Sequence, residues 1–327
     1  MMLYPLRFTP CYFEKVWGGR RLQTVLGREI PPDAPIGESW EVSDHPHGRS
    51  VVANGAWQGV TLHALVAEHP DDVLGTRVHA HYGATFPLLV KYIDAEDKLS
   101  VQVHPDDAYA AQHAGELGKT EMWYVLHAEP GATLIAGLCD GVTAVQFREA
   151  LQHGDPAGLL QHLPVATGDS IFIPAGRIHA IMPGLLILEI QQNSDTTYRL
   201  YDWGRVGLDG APRELHVEQA MAVTNWQDYT PTPHTDIITD EGGNRQTRLA
   251  ACAYFVVDKY SLRAAQPFCT DGGSFTILNC VAGGGTLRWA DGEEALHCGD
   301  TLLIPAALTS FSLIPHGEAD FVLSSVP

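Results

Sequence analysis

The feature that most restricts the fold of this chain is a strand-and-turn pattern that occurs twice. Gly168-Asp169 is followed, five residues after the aspartate, by Pro174 and then by Gly176 and His179. Gly299-Asp300 is followed at the same spacing by Pro305, then by Ala307 and Ser310. Upstream, 122–134 (MWYVLHAEPGATL) parallels 275–287 (FTILNCVAGGGTL) without gaps, which sets Glu121 opposite Ser274. Self-similarity of this kind is the mark of a duplicated structural unit. The second copy keeps the apolar pattern and the glycine turns and loses the Glu and the His. Two barrels are therefore expected, with candidate ligands only in the first.

The rest of the chain agrees with a mainly β architecture. Short runs rich in Val, Ile, Leu, Tyr and Phe, bounded by Gly, Pro or Asp, occur at 86–93, 99–103, 122–127, 133–137, 170–174 and 185–191. Helical spacing is confined to 61–75, 106–117, 143–162 and 214–225, which read as insertions between strands. A polar stretch at 228–245, with a Gly pair at 242–243, reads as a linker. The expected domains are 1–238 and 239–327.

Charge narrows the function. The 39 acidic residues against 20 basic ones give a formal charge of −19. Such a surface repels phosphate backbones and anionic lipid, so neither nucleic acid nor membrane is expected as a partner. One small phosphorylated ligand stays open if a few cations are gathered at its site. The six cysteines form no C-x-x-C pair and read as reduced, mostly buried thiols. With no apolar run of membrane length and no signal-peptide pattern, a cytoplasmic protein is expected. The sequence sets no oligomeric state.

Gln102-Val103-His104 alternates as a strand does, so Gln102 and His104 share a face. Glu121 opens the next strong strand, and His179 follows the glycine–proline turn. Two imidazoles, a carboxylate and an amide oxygen suit a borderline divalent metal with a position left open. Lys119 lies two residues before Glu121, and Ser100 has the parity of Gln102 and His104. The pairs His45/His47 and His79/His81 lack a carboxylate in matching register and read as surface features. Trp17 and Trp40 read as core aromatics or as rings for a sugar to stack on, and Glu38 and Glu41 as pocket residues or surface ion pairs.

The spacing resembles the cupin pattern: G-x5-P-x-G-x2-H is met in full by Gly168, Pro174, Gly176 and His179, while Gln102 stands where a His is usual. Further motifs, 99–106 (LSVQVHPD), 118–124 (GKTEMWY), 168–180 (GDSIFIPAGRIHA) and 188–199 (LEIQQNSDTTYR), resemble type I phosphomannose isomerases. The fits at 16–19 (VWGG) and 36–43 (IGESWEVS) point to the short bacterial branch. The resemblance implies a double cupin and one Zn2+ per chain, held by Gln102, His104, Glu121 and His179. It implies exchange of mannose 6-phosphate and fructose 6-phosphate. Arg199 falls on the family's catalytic arginine and Lys119 on its active-site lysine, with Ser100, Lys119 and Arg199 as substrate-binding residues.

Such groups suit the chemistry. Aldose–ketose exchange develops charge on two adjacent oxygens, which a fixed cation and a guanidinium stabilise. The base is open among Lys119, an activated water and a nearby carboxylate. Alternatives are the same fold acting on free mannose or another hexose phosphate, a non-catalytic sugar-binding cupin, or an iron oxygenase. The oxygenase is disfavoured because Gln102 would take a position that oxygen needs.

Overall fold

The computed structural model describes residues 3–154, 156–229 and 236–327. By contacts the chain groups into two compact units, each discontinuous. One comprises 1–11, 40–90 and 234–327, the other 12–39 and 91–233. The contiguous division expected at 238/239 follows the duplicated motif rather than these contacts.

The second unit is built on two antiparallel sheets. One has six strands in the order Ser170–Ile173, Glu121–Ala128, Leu185–Gln192, Leu88–Ala95, Ile36–Val42 and Cys11–Gly19. The other has five, in the order Tyr198–Tyr201, Val101–Val103, His179–Ile181, Thr133–Leu138 and Leu160–Pro164. Between them lies an apolar layer that includes Trp17, Ile93, Trp123, Val125, Leu134, Ile171 and Ile187. The strands Leu88–Ala95 and Leu185–Gln192 are buried at every position, which explains their nearly continuous apolar sequences. Helix Ala144–His153 starts with a reciprocal capping box between Thr143 and Gln146.

The first unit has an eight-stranded sheet, in which Thr276–Ala282 lies between Ala319–Ser325 and Thr301–Ile304, and a four-stranded sheet of Gln266–Cys269, Ser310–Pro315, Gly284–Trp289 and Gly292–His297. The helical stretch at 61–75 divides into Leu62–Glu68 and Pro70–Leu74, because Pro70 cannot continue a helix from His69. A further short helix, Thr76–Tyr82, follows. The carbonyls of Val73 and Leu74 accept the backbone N–H groups of Ala306 and Phe275, so these helices close one end of the C-terminal barrel.

Three expectations need correction. Within the stretch read as a linker, 230–235 lie outside the described residues, but Asp236–Glu241 pairs with Asn244–Ala251. Gly242 and Gly243, both with positive φ, make the two-residue turn that closes this hairpin. Second, the thiols are free but only Cys280 is buried; Cys269 is exposed and the others are intermediate. Third, His45 is buried, with its ring edge-on to Trp40 at 5.8 Å between centroids.

The duplication is visible in the backbone. Gly168 N–H donates to the Val125 carbonyl and Val125 N–H to the Asp169 carbonyl. Gly299 and Asp300 make the same two bonds with Cys280. Strand register pairs Glu121 with Ile173 and Thr276 with Ile304, so the counterpart of Glu121 is Thr276, not Ser274. The gapless alignment was two residues out. A two-residue slip leaves every side chain on its face, so alternation of apolar residues does not detect it.

Candidate metal centre and substrate cavity

Three side chains of the site stand in one row. In the five-stranded sheet Gln102 is directly paired with His179 on one side and Arg199 on the other. Antiparallel pairing puts directly opposed side chains on the same face. Glu121 comes from the six-stranded sheet and reaches across to this row. His104 follows its strand by one residue, and Gly176 holds it there by donating its N–H to the His104 carbonyl at 2.9 Å. Gly176 has φ +85°, and a Cβ would sit 3.0 Å from the Val223 carbonyl oxygen. The glycine of the G-x5-P-x-G motif is therefore required by conformation and by space.

One nitrogen of each imidazole is committed. His104 Nδ1 donates to the Thr196 carbonyl at 3.0 Å, and His179 Nδ1 to that of Arg177 at 2.9 Å. Both rings thus turn Nε2 toward Glu121, at 3.5 Å from Oε2 for His104 and 3.5 Å from Oε1 for His179. Burial, with the positive charge of Lys119 for His104, lowers the pKa of both, to about 3 for His179. They are neutral imidazoles with lone pairs converging on one carboxylate.

His104, Glu121 and His179 form a ligand-competent group whose donor atoms lie within 4.8 Å of one another, the only such group among the described residues. Glu121 Oε1 is buried and accepts no hydrogen bond among the described residues. An orphaned carboxylate oxygen facing two imidazole lone pairs fits a cation. Gln102 turns Nε2 to His179 Nε2 at 3.4 Å and accepts at Oε1 from Ser100. Half a turn of the amide exchanges its oxygen and nitrogen, so Gln102 can join the donor set. Lys119 Nζ donates to His104 Nε2 at 2.8 Å and Glu121 Oε2 at 2.7 Å, and lies 3.9 Å from Glu189 Oε1.

A cavity of about 280 Å³ adjoins these atoms, lined among others by Trp17, Ser100, Gln102, Lys119, Trp123 and Arg199. Five of the chain's 20 basic residues (Lys15, Lys91, Lys119, Arg199 and Arg213) line it, so the expected concentration of cations is present. Arg199 Nε donates to Ser100 Oγ at 3.2 Å and Nη1 to the Glu214 carbonyl at 2.8 Å. Its Nη2 has no partner among the described residues. Asp202 binds Arg213 and Arg205 instead. Burial and the charge of Arg213 lower the Arg199 pKa without discharging so strong a base.

Sequence reasoning missed Lys91, Glu189, Arg213 and His216, and left Glu38 undecided. Lys91 Nζ lies 3.0 Å from Glu189 Oε1 and 3.9 Å from Glu38 Oε2. Against burial, which lowers it, these carboxylates raise the Lys91 pKa. Trp123 Nε1 donates to Glu189 Oε2 at 2.9 Å. Charges inside largely apolar strands, Lys91 and Asp94 in LLVKYIDA and Glu189 alone in LLILEIQQ, were the available signal, since such a strand excludes an ion unless it is paired. Arg213 and His216 come from a loop with no such mark.

The family description "Phosphomannose isomerase type I, catalytic domain" matches residues 6–147, and "Mannose-6-phosphate isomerase, cupin domain" matches 245–326. The mannose-6-phosphate isomerase of Streptococcus mutans is 38% identical over 323 residues, 99% of this chain and 98% of that protein. Mannose-6-phosphate isomerase ManA of Bacillus subtilis is 37% identical over 332 residues, 99% of each. The crystal structure of a mannose 6-phosphate isomerase from Bacillus subtilis has a TM-score of 0.90 at 35% identity, covering 98% of this chain and 99% of that one. The mainly β, cupin-type fold expected of the duplicated motif is thus shared with these proteins.

Proposed function

The chain belongs to the type I phosphomannose isomerases, a family of aldose–ketose isomerases, and we propose its reaction from that premise. It interconverts mannose 6-phosphate and fructose 6-phosphate, carrying a proton between C2 and C1 through an enediolate. One Zn2+ is held by Gln102, His104, Glu121 and His179. The observation that carries this reading is the convergence of His104, Glu121 and His179 on one dry spot beside a cation-rich cavity.

Zinc bound there supplies Lewis acidity to the substrate oxygens. The chain's own residues do the rest. His104, Glu121 and His179 are each at most 1% exposed, so charge at their donor atoms is poorly screened. Lys119 Nζ, bonded to His104 Nε2 and Glu121 Oε2 and 3.9 Å from Glu189 Oε1, lines the cavity. There it meets the sugar and can exchange a proton with it or bind its oxygens. Arg199 and Arg213 each keep one terminal guanidinium nitrogen without a partner among the described residues, and these face the substrate's phosphate or its developing oxyanion. Trp17 offers a ring face to the sugar.

A coupled assay with mannose 6-phosphate, before and after chelation and again after adding zinc, tests the proposal. Turnover that survives complete removal of metal would sink it. Equal turnover of free mannose would remove the phosphate from the reading and leave the metal in place.

A further inference from the structure

The loop at 192–197 carries the carbonyl that orients His104, and its Asp195 and Thr197 line the cavity. Its shape is held largely from one side. Glu116 Oε2 accepts three hydrogen bonds: from Ser194 Oγ at 3.0 Å, Asp195 N–H at 3.1 Å and Thr196 Oγ1 at 2.8 Å. Just before this loop, Asp107 Oδ1 accepts from Gln192 Nε2 at 2.9 Å and from Gly118 N–H at 2.7 Å. Gly118 packs against the same place, since a Cβ there would stand 2.5 Å from the Asp107 nitrogen. The segment 106–118, with its helix Asp107–His113, is therefore a bracket for the loop, and Glu116 is its charged end.

Three donors on one ionised oxygen hold a loop more firmly than neutral bonds do. The bonded residues include Thr196, whose carbonyl takes the Nδ1 proton of His104. We propose that Glu116 is a positioning residue. It fixes Thr196 so that His104 keeps its proton on Nδ1 and its lone pair on Nε2, aimed at Glu121. The inference rests on the metal reading of His104 and adds a group, 12 residues away in sequence, on which that ligand depends. The Thr196 carbonyl is one step removed from the ligand, where a lost partner changes affinity about 10–100-fold, and Glu116 stands one step beyond it.

The test uses the purified zinc-loaded chain and the variants Glu116→Ala, Glu116→Gln and Thr196→Val. Zinc transfer to a chromophoric chelator, the thermal midpoint and the split between kcat and KM are measured on each. Glu116→Ala is expected to weaken zinc binding severalfold, up to about 10-fold, and to lower kcat more than KM. Glu116→Gln keeps an acceptor oxygen and recovers most of the loss. Thr196→Val, which removes one donor and leaves the carbonyl, falls between. Because Lys119 Nζ also donates to His104 Nε2, the tautomer is read in the metal-free chain on a Lys119→Met background: imidazole 15N shifts of His104 should report Nδ1–H in Lys119→Met alone and a mixture once Glu116→Ala is added. A lower thermal midpoint with unchanged zinc affinity and an unchanged tautomer would overturn the proposal. Should wild type bind no metal at all, the metal reading fails, while the tautomer measurement still decides the role of Glu116.

Discussion

At the scale of single residues the site separates into groups that hold and groups that act. His179→Ala or Glu121→Ala opens the donor set, so metal and activity are expected to disappear together. Metal analysis beside the isomerase assay checks this, and full zinc stoichiometry in either variant would refute the ligand assignment. Arg199 touches no ligand atom directly. Arg199→Ala should therefore retain metal and fold while losing roughly 10²–10³ in turnover, as other losses of one aimed donor do. A rate near wild type would end its catalytic role. The proposed ligands Gln102, His104, Glu121 and His179 could be picked out from strand alternation and the glycine–proline turn, whereas Arg199 came only from the family resemblance. Lys91 and Glu189 were legible in principle as charges in largely apolar strands, Lys91 with Asp94 and Glu189 alone. Arg213 was not, because it is brought to the cavity by a loop whose course depends on Asp202.

At the scale of elements, the turn after Ser170–Ile173 does more than reverse the chain. Gly176 donates to the His104 carbonyl and its own carbonyl accepts from Asn225, so this one residue joins the ligand strand to the end of helix Val217–Val223. Gly176→Ala must strain φ +85° and crowd the Val223 carbonyl, at a cost of about 1–2 kcal/mol. A depressed melting temperature together with weaker zinc binding is expected. A variant with the wild-type melting curve would show that the turn tolerates a side chain. Six strands were readable from short apolar runs and their flanking turns, whereas Leu160–Pro164 lay within the stretch 143–162 that was read as helical; the helix ends at His153. The split of the helical stretch at Pro70 was marked by the proline itself, whereas the short helix Thr76–Tyr82 carried no comparable start signal. The pairing of Asp236–Glu241 escaped because a fully exposed strand has no buried face to write a period into the sequence.

At the scale of the whole molecule, no helix among the described residues is long and apolar enough to cross a membrane. The duplicated pattern foretold two β barrels, yet the contact groups are discontinuous, since residues 40–90 join the C-terminal strands through backbone bonds such as Ala306 to Val73. Nothing in the local pattern of 40–90 announces that partner. The thiols offer a test of the C-terminal barrel. Burial pushes Cys280 up to about 12, whereas Cys269 is exposed. A thiolate-directed reagent under mildly alkaline native conditions should label Cys269 and spare Cys280 until the protein unfolds. Equal labelling rates, followed by peptide mass analysis, would show that this barrel opens in the native state.

The row Arg199–Gln102–His179 works as a gauge. Neighbouring strands lie about 4.8 Å apart because peptide hydrogen bonds keep them there, so the interval between guanidinium, amide and imidazole is ruled by the backbone. Point substitutions can change what stands on each mark but cannot move the marks. Only a slip of register could, and that step is all or none. The second copy illustrates the same independence: Ser310 stands opposite Cys269 as His179 stands opposite Gln102, so the marks are exchanged and the scale on which they are mounted is intact.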